Sequence, residues 1–225
     1  MMAYLFINLC VVSVPLALSF EKRVKYYRKF PALFSAILSV GAIYILWDIF
    51  ASARGDWSFN ERYILGGRFL GVPLEEVLFF IVVPYSCLFI YEVCLYFFKD
   101  HQVRISSINF IFLALVFGLL ACFNRERGYT FAVLVFCSLS FFLTLLIAPG
   151  ILRSRVFWLF ILISYGPFLL TNYFLTSLPV VVYNPAGIWG GRFLTIPYED
   201  FLYSFSLMLS SCAAYSFFKA RILKS

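Results

Sequence analysis

The chain has 225 residues, 63% of them hydrophobic and only 13% charged, with a mean hydropathy of +0.93; a soluble domain carries roughly 25% charged residues. This balance excludes a soluble globular domain and requires an integral membrane protein, because runs of about 20 apolar residues each cross the hydrocarbon core as helices. The net charge of +7 is not a nucleic-acid signal, and no nucleic-acid partner is expected, since the basic residues sit in short loops between apolar runs, where orientation signals belong.

Seven spans follow in order. The first covers 3–20; its charges (Glu21, Lys22, Arg23) come after the apolar run, which fits an anchored helix better than a cleaved leader. The second, 31–51, opens on Pro31, tolerated in a first turn. The third covers 74–98, the fourth 105–123 and the fifth 129–148, closed by Pro149-Gly150. The sixth covers 156–175 and the seventh 198–218. All six cysteines lie inside apolar runs without metal-type spacing and are read as packing residues. With one histidine in the chain, His101, an all-protein zinc or iron site is not expected.

The stretch entering span three, Gly66-Gly67-Arg68-Phe69-Leu70-Gly71-Val72-Pro73-Leu74-Glu75-Glu76, recurs without a gap 124 residues later as Gly190-Gly191-Arg192-Phe193-Leu194-Thr195-Ile196-Pro197-Tyr198-Glu199-Asp200. The same offset pairs Asp48 with Asn172, Asn60 with Asn184 and Ile64 with Ile188. It maps spans one, two and three on five, six and seven. The expected fold is therefore all-α, with two parallel three-helix repeats (1–98 and 129–225) joined by a linker, 99–128, that carries span four and keeps the repeats equally oriented. One side of the membrane collects 12 Lys/Arg in its loops and the other 6. The positive-inside rule then puts the N-terminus out, the C-terminus in, and both acidic motifs at the outer face.

The candidate catalytic groups are Glu75, Glu76, Glu199, Asp200 and Asp48, the last inside an apolar run, where an ionisable side chain is costly and points to function. Candidate substrate-binding residues are Arg68, Arg192, Asn172, Asn184, Trp47, Trp57 and Trp189. A bland alternative exists for each. Acids after a proline compensate the helix dipole, glycine pairs make turns, and Trp collects at membrane interfaces. No dinucleotide fingerprint, phosphate loop or serine-nucleophile motif is present, so no cofactor and no metal are expected. What remains is acid–base work on a hydrophobic substrate: neighbouring carboxyls in a dry site do not both ionise easily, and aromatic rings stabilise a cation by roughly 0.5–2 kcal/mol. Glu75 and Glu199, identical across the halves, are the expected cavity-facing pair, with Glu75 as proton donor.

Pro73-Leu74-Glu75-Glu76-Val77-Leu78-Phe79-Phe80, Trp47-Asp48, Thr171-Asn172-Tyr173, Leu178-Pro179-Val180-Val181, Tyr183-Asn184-Pro185 and Ile196-Pro197-Tyr198-Glu199-Asp200-Phe201 resemble the membrane-embedded lycopene cyclase domain family over nearly the whole chain. The resemblance implies a lycopene β-cyclase, a non-redox isomerase that closes the linear ψ-ends of lycopene into β-ionone rings (γ-carotene, β-carotene). It implies lycopene or another linear carotenoid as partner, with membrane lipid around it, in the cell (inner) membrane. A homo-oligomer is left open. The alternative from another class is a non-catalytic carotenoid or lipid carrier, which needs an aromatic cavity but no ionisable acids.

Overall fold

The computed structural model describes residues 2–222. Among them are seven α-helices: α1 (Ala3–Leu18), α2 (Phe30–Arg54), α3 (Leu74–Phe97), α4 (Ser107–Phe123), α5 (Gly128–Ile147), α6 (Arg155–Ser177) and α7 (Tyr198–Ile222). Five of these, α2, α3, α5, α6 and α7, are long and apolar enough to cross a membrane, whereas α1 and α4 are shorter apolar helices. The chain is a helical membrane protein. Local chemistry sets the ends: Pro31 sits in the first turn of α2, and Gly55, at φ 83°, closes it in the left-handed conformation. Ser106 and Ser154 cap α4 and α6 by accepting from the backbone N–H groups of Ile108 and Phe157.

Alternation too short to register in the sequence makes three two-stranded ribbons in the loops. β1 (Trp57–Phe59) pairs antiparallel with β4 (Val181–Tyr183), Ser58 lying opposite Val182. β2 (Arg68–Phe69) pairs with β3 (Val72–Pro73), and β5 (Arg192–Phe193) with β6 (Ile196–Pro197). These hairpins explain the glycine pairs. Gly66 and Gly190 take φ 88° and 87°, which only glycine adopts freely. At Gly67 and Gly191 an added Cβ would stand 2.8 Å from Leu74 and 2.7 Å from Tyr198.

α3 packs on α1, α2 and α6, and α7 on α5 and α2, while α4 lies against α5. Pro15 inside α1 removes the N–H that would bond the Val11 carbonyl. Ser86 of α3 donates to that carbonyl at 3.1 Å, as a dry environment requires. Near the far ends of α3 and α7, the buried Glu92 carboxylate forms ion pairs with Lys29 and Lys219 and accepts from Tyr215 Oη at 2.6 Å. This clip ties the first half of the chain to the second.

Candidate active site

A cavity of about 720 Å³ lies between α1, α3, α6 and α7, walled almost entirely by apolar side chains. Three carboxyl groups face it at one end: Asp48 from α2, Glu76 from α3 and Asp200 from α7. Each is at most 8% exposed. Among the described residues, none of the three has a Lys or Arg within ion-pair distance.

Hydrogen bonding divides the three. Asp48 Oδ1 accepts from Trp57 Nε1 at 2.9 Å, and its Oδ2 has no hydrogen-bond partner among the described residues. Glu76 accepts from the phenol of Tyr4 on α1 and feels the Asp48 carboxyl electrostatically. Asp200 is held more tightly. Oδ1 accepts from Tyr129 Oη at 2.6 Å and from Tyr183 Oη at 3.0 Å, and Oδ2 accepts from Tyr183 at 2.9 Å. Burial first, and the neighbouring Asp200 second, hold the Tyr183 phenol well above its ordinary pKa, so it stays a donor. Aromatic faces close the site: Trp57 meets Tyr129 edge-on at 5.1 Å, Tyr129 stacks on Tyr183 at 5.4 Å, and Tyr203 lies 5.1 Å from Trp47.

Glu75 and Glu199 do not line this cavity, which corrects the expectation that they face it. Consecutive helical residues point about 100° apart, and in both helices the second acid takes the inward direction. The first acid of each pair turns back to its own loop. Glu75 Oε1 accepts from Leu65 N at 2.6 Å, and Glu199 Oε1 from Trp189 N at 2.5 Å and Thr130 Oγ1 at 2.7 Å. Both are buried, and in each Oε2 has no hydrogen-bond partner among the described residues.

The expected binding residues separate in the same way. Trp57 and Asn172 line the cavity. Trp47 stacks on Phe136 behind the wall. Trp189 donates to Asn124 Oδ1 at 2.8 Å, and Asn184 ties its own loop to Gly55 O at 3.1 Å. Arg68 pairs with Glu61 and bonds Gly71 O at 2.6 Å. Arg192 bonds Thr195 O at 2.6 Å, with its guanidinium 5.8 Å from the Tyr183 ring centre. Neither arginine forms an ion pair with Asp48, Glu76 or Asp200 among the described residues. Tyr4, Tyr129, Tyr183 and Tyr203 were not among the site residues expected from the sequence, although Tyr183 lies in one of the motifs that carry the resemblance. Tyr4 meets Glu76 as Tyr129 meets Asp200, but they stand 125 residues apart, so a gap-free offset of 124 sets Leu5 against Tyr129 and hides the match.

Fold and site together define a helical membrane protein with a cluster of three carboxyl groups at one end of a largely apolar cavity. The sequence profile of the lycopene cyclase family matches residues 1–94 and 126–218. The chain belongs to the lycopene cyclase family, whose members are cyclases of carotenoid biosynthesis. No curated protein and no solved structure matches it.

Proposed function

We propose that this protein is a lycopene β-cyclase in which Glu76 is the proton donor and Asp200 the base. The observation that carries this reading is the convergence of Asp48, Glu76 and Asp200 in one otherwise apolar cavity. Glu76 keeps its proton beside Asp48, because two like charges in a dry site are costly. Glu76 gives that proton to the terminal double bond of the ψ-end. The tertiary cation formed is attacked by the next suitably placed double bond, which closes the six-membered ring. Asp200, whose phenol partners satisfy the acceptor-only pattern of a carboxylate, removes a ring proton to leave the β-ionone double bond. One proton enters and one leaves, so the product is an isomer and no redox partner is involved. Tyr203, Trp57 and the Tyr129–Tyr183 stack supply ring faces for the cationic stage.

The site lies between two parallel three-helix repeats. Supporting this, the family profile matches in two stretches that leave α4 out. α1 packs on α3 as α5 packs on α7, and α2 on α7 as α6 on α3. In this reading α1 and α4 cross as well, making seven spans, with the acidic cluster at the outer face of the cell membrane and the Glu92 clip at the inner one. The loop charges support that orientation; Lys224, counted among them, lies outside the described residues. A carrier accounts less well for three buried carboxyls without cations, since each is costly to desolvate.

The test is coexpression in lycopene-accumulating cells with separation of the pigments by HPLC. Conversion to γ-carotene and β-carotene is expected. Lycopene left unconverted at normal protein levels would favour the carrier.

A further inference from the structure

The cavity is not sealed evenly. On α1, Phe6, Cys10 and Val14 recur every four residues; all three line the cavity and are exposed at the molecular surface. On α6 and its C-cap, Leu170, Phe174 and Leu178 repeat that spacing and are both cavity-lining and exposed. The cavity wall contributed by α2, α5 and α7 has no such exposed members: Asp48, Tyr129, Leu207 and Met208 are buried. Two apolar rails, each eight residue steps or about 12 Å long, thus flank a mouth that opens at the molecular surface.

The corresponding seam in the other half, between α5 and α2, is closed. With Tyr4 matched to Tyr129, Val11 corresponds to Phe136; by the 124-residue offset, Phe168 and Thr171 correspond to Tyr44 and Trp47. Phe136 stacks on Trp47 with ring centres 4.2 Å apart and meets Tyr44 at 4.9 Å. Where the first seam has a valine and a threonine, the second has a phenylalanine and a tryptophan, and these fill it.

We propose that the carotenoid enters sideways from the bilayer through a single portal between α1 and α6, and that the α5–α2 seam is its plugged counterpart. This rests on the cyclase and repeat readings above. It adds that one substrate end is admitted at a time by one route, so a substrate with two linear ends leaves as a free monocyclic species before its second ring is made.

Cys10 on the portal rail and Cys122, exposed on α4, report on this directly. The full-length protein in membranes with and without lycopene is treated with a lipid-soluble maleimide, and labelling at each cysteine is read by mass spectrometry. Lycopene is expected to protect Cys10 and not Cys122. A Cys introduced as Leu170→Cys on the facing rail is expected to be protected likewise. Plugging the portal with Val11→Phe and Thr171→Trp is expected to remove the protection and stop conversion. Equal labelling of Cys10 with and without lycopene overturns the portal, whether or not cyclised product forms. Protection of Cys10 without any product keeps the portal and instead overturns the cyclase reading.

Discussion

Glu75 and Glu76 are chemically identical neighbours, and their separate roles come from direction alone. Glu76 meets Tyr4 and the cavity, while Glu75 accepts the Leu65 N–H in the loop. Glu76→Gln cannot give a proton and is expected to lower cyclisation by about 10²–10⁴-fold with normal protein accumulation. Glu75→Gln keeps an amide oxygen for Leu65 and is expected to stay near wild-type turnover. Pigment analysis of the two variants at matched protein levels checks this; the opposite ranking would return the donor role to Glu75. On the base side, Tyr183→Phe removes the donor to both Asp200 oxygens and leaves Tyr129. Hydrogen bonds to charged groups contribute about 1.5–3 kcal/mol, so kcat is expected to fall about tenfold or more with KM little changed. An unaltered kcat would remove Asp200 from the rate-determining chemistry. The acid pairs were legible in the sequence because they are duplicated, but identity across halves pointed to the member of each that does not line the cavity. Glu75 and Glu199 match because both perform the same loop contact, a structural reason for sameness that residue types alone do not distinguish from a catalytic one.

The helices were readable because apolar runs near 20 residues have few alternatives in a membrane protein, and the structure moves their ends by only a few residues. The ribbons were not readable, since strands of two or three residues carry no periodic signal. Also invisible was the meaning of Glu92, which sits inside the apolar run of α3 as Asp48 does in that of α2. Its partners Lys29 and Lys219 lie 63 and 127 residues away, and only the packing of α3 beside α2 and α7 brings them together. Removing one partner of a buried ion pair typically costs about 3–5 kcal/mol. The low end applies here, because the Lys219 side chain stays 35% exposed. Glu92→Gln is therefore expected to lower the thermal midpoint in detergent while the product pattern of the folded fraction stays the same. A changed ratio of monocyclic to bicyclic product at unchanged stability would instead place Glu92 in the reaction.

The strongest architectural consequence of the proposed repeat concerns the β1–β4 ribbon. Ser58 and Val182 are 124 residues apart and directly opposed, as residues related by a twofold axis through the ribbon must be. The flanking bonds obey the same relation: Asn60 N donates to Val180 O at 3.0 Å, and Asn184 N to Asp56 O at 2.8 Å. In the parallel-repeat reading proposed above, this axis is the one along the membrane normal, and loops 52–73 and 176–197 are expected on one side of the bilayer. Opposed residues of an antiparallel pair have Cα atoms about 4.5–5.5 Å apart, within the span a disulfide bridges. The double variant Ser58→Cys/Val182→Cys is therefore expected to cross-link under mild oxidation in intact membranes, with the joined peptides identified by mass spectrometry. Either single variant is expected to give no such product. Each new cysteine should also react with a membrane-impermeant maleimide from the face opposite the C-terminus. If residues 58 and 182 are labelled from opposite faces, the two units are inverted rather than parallel, and the acids could not meet in one cavity.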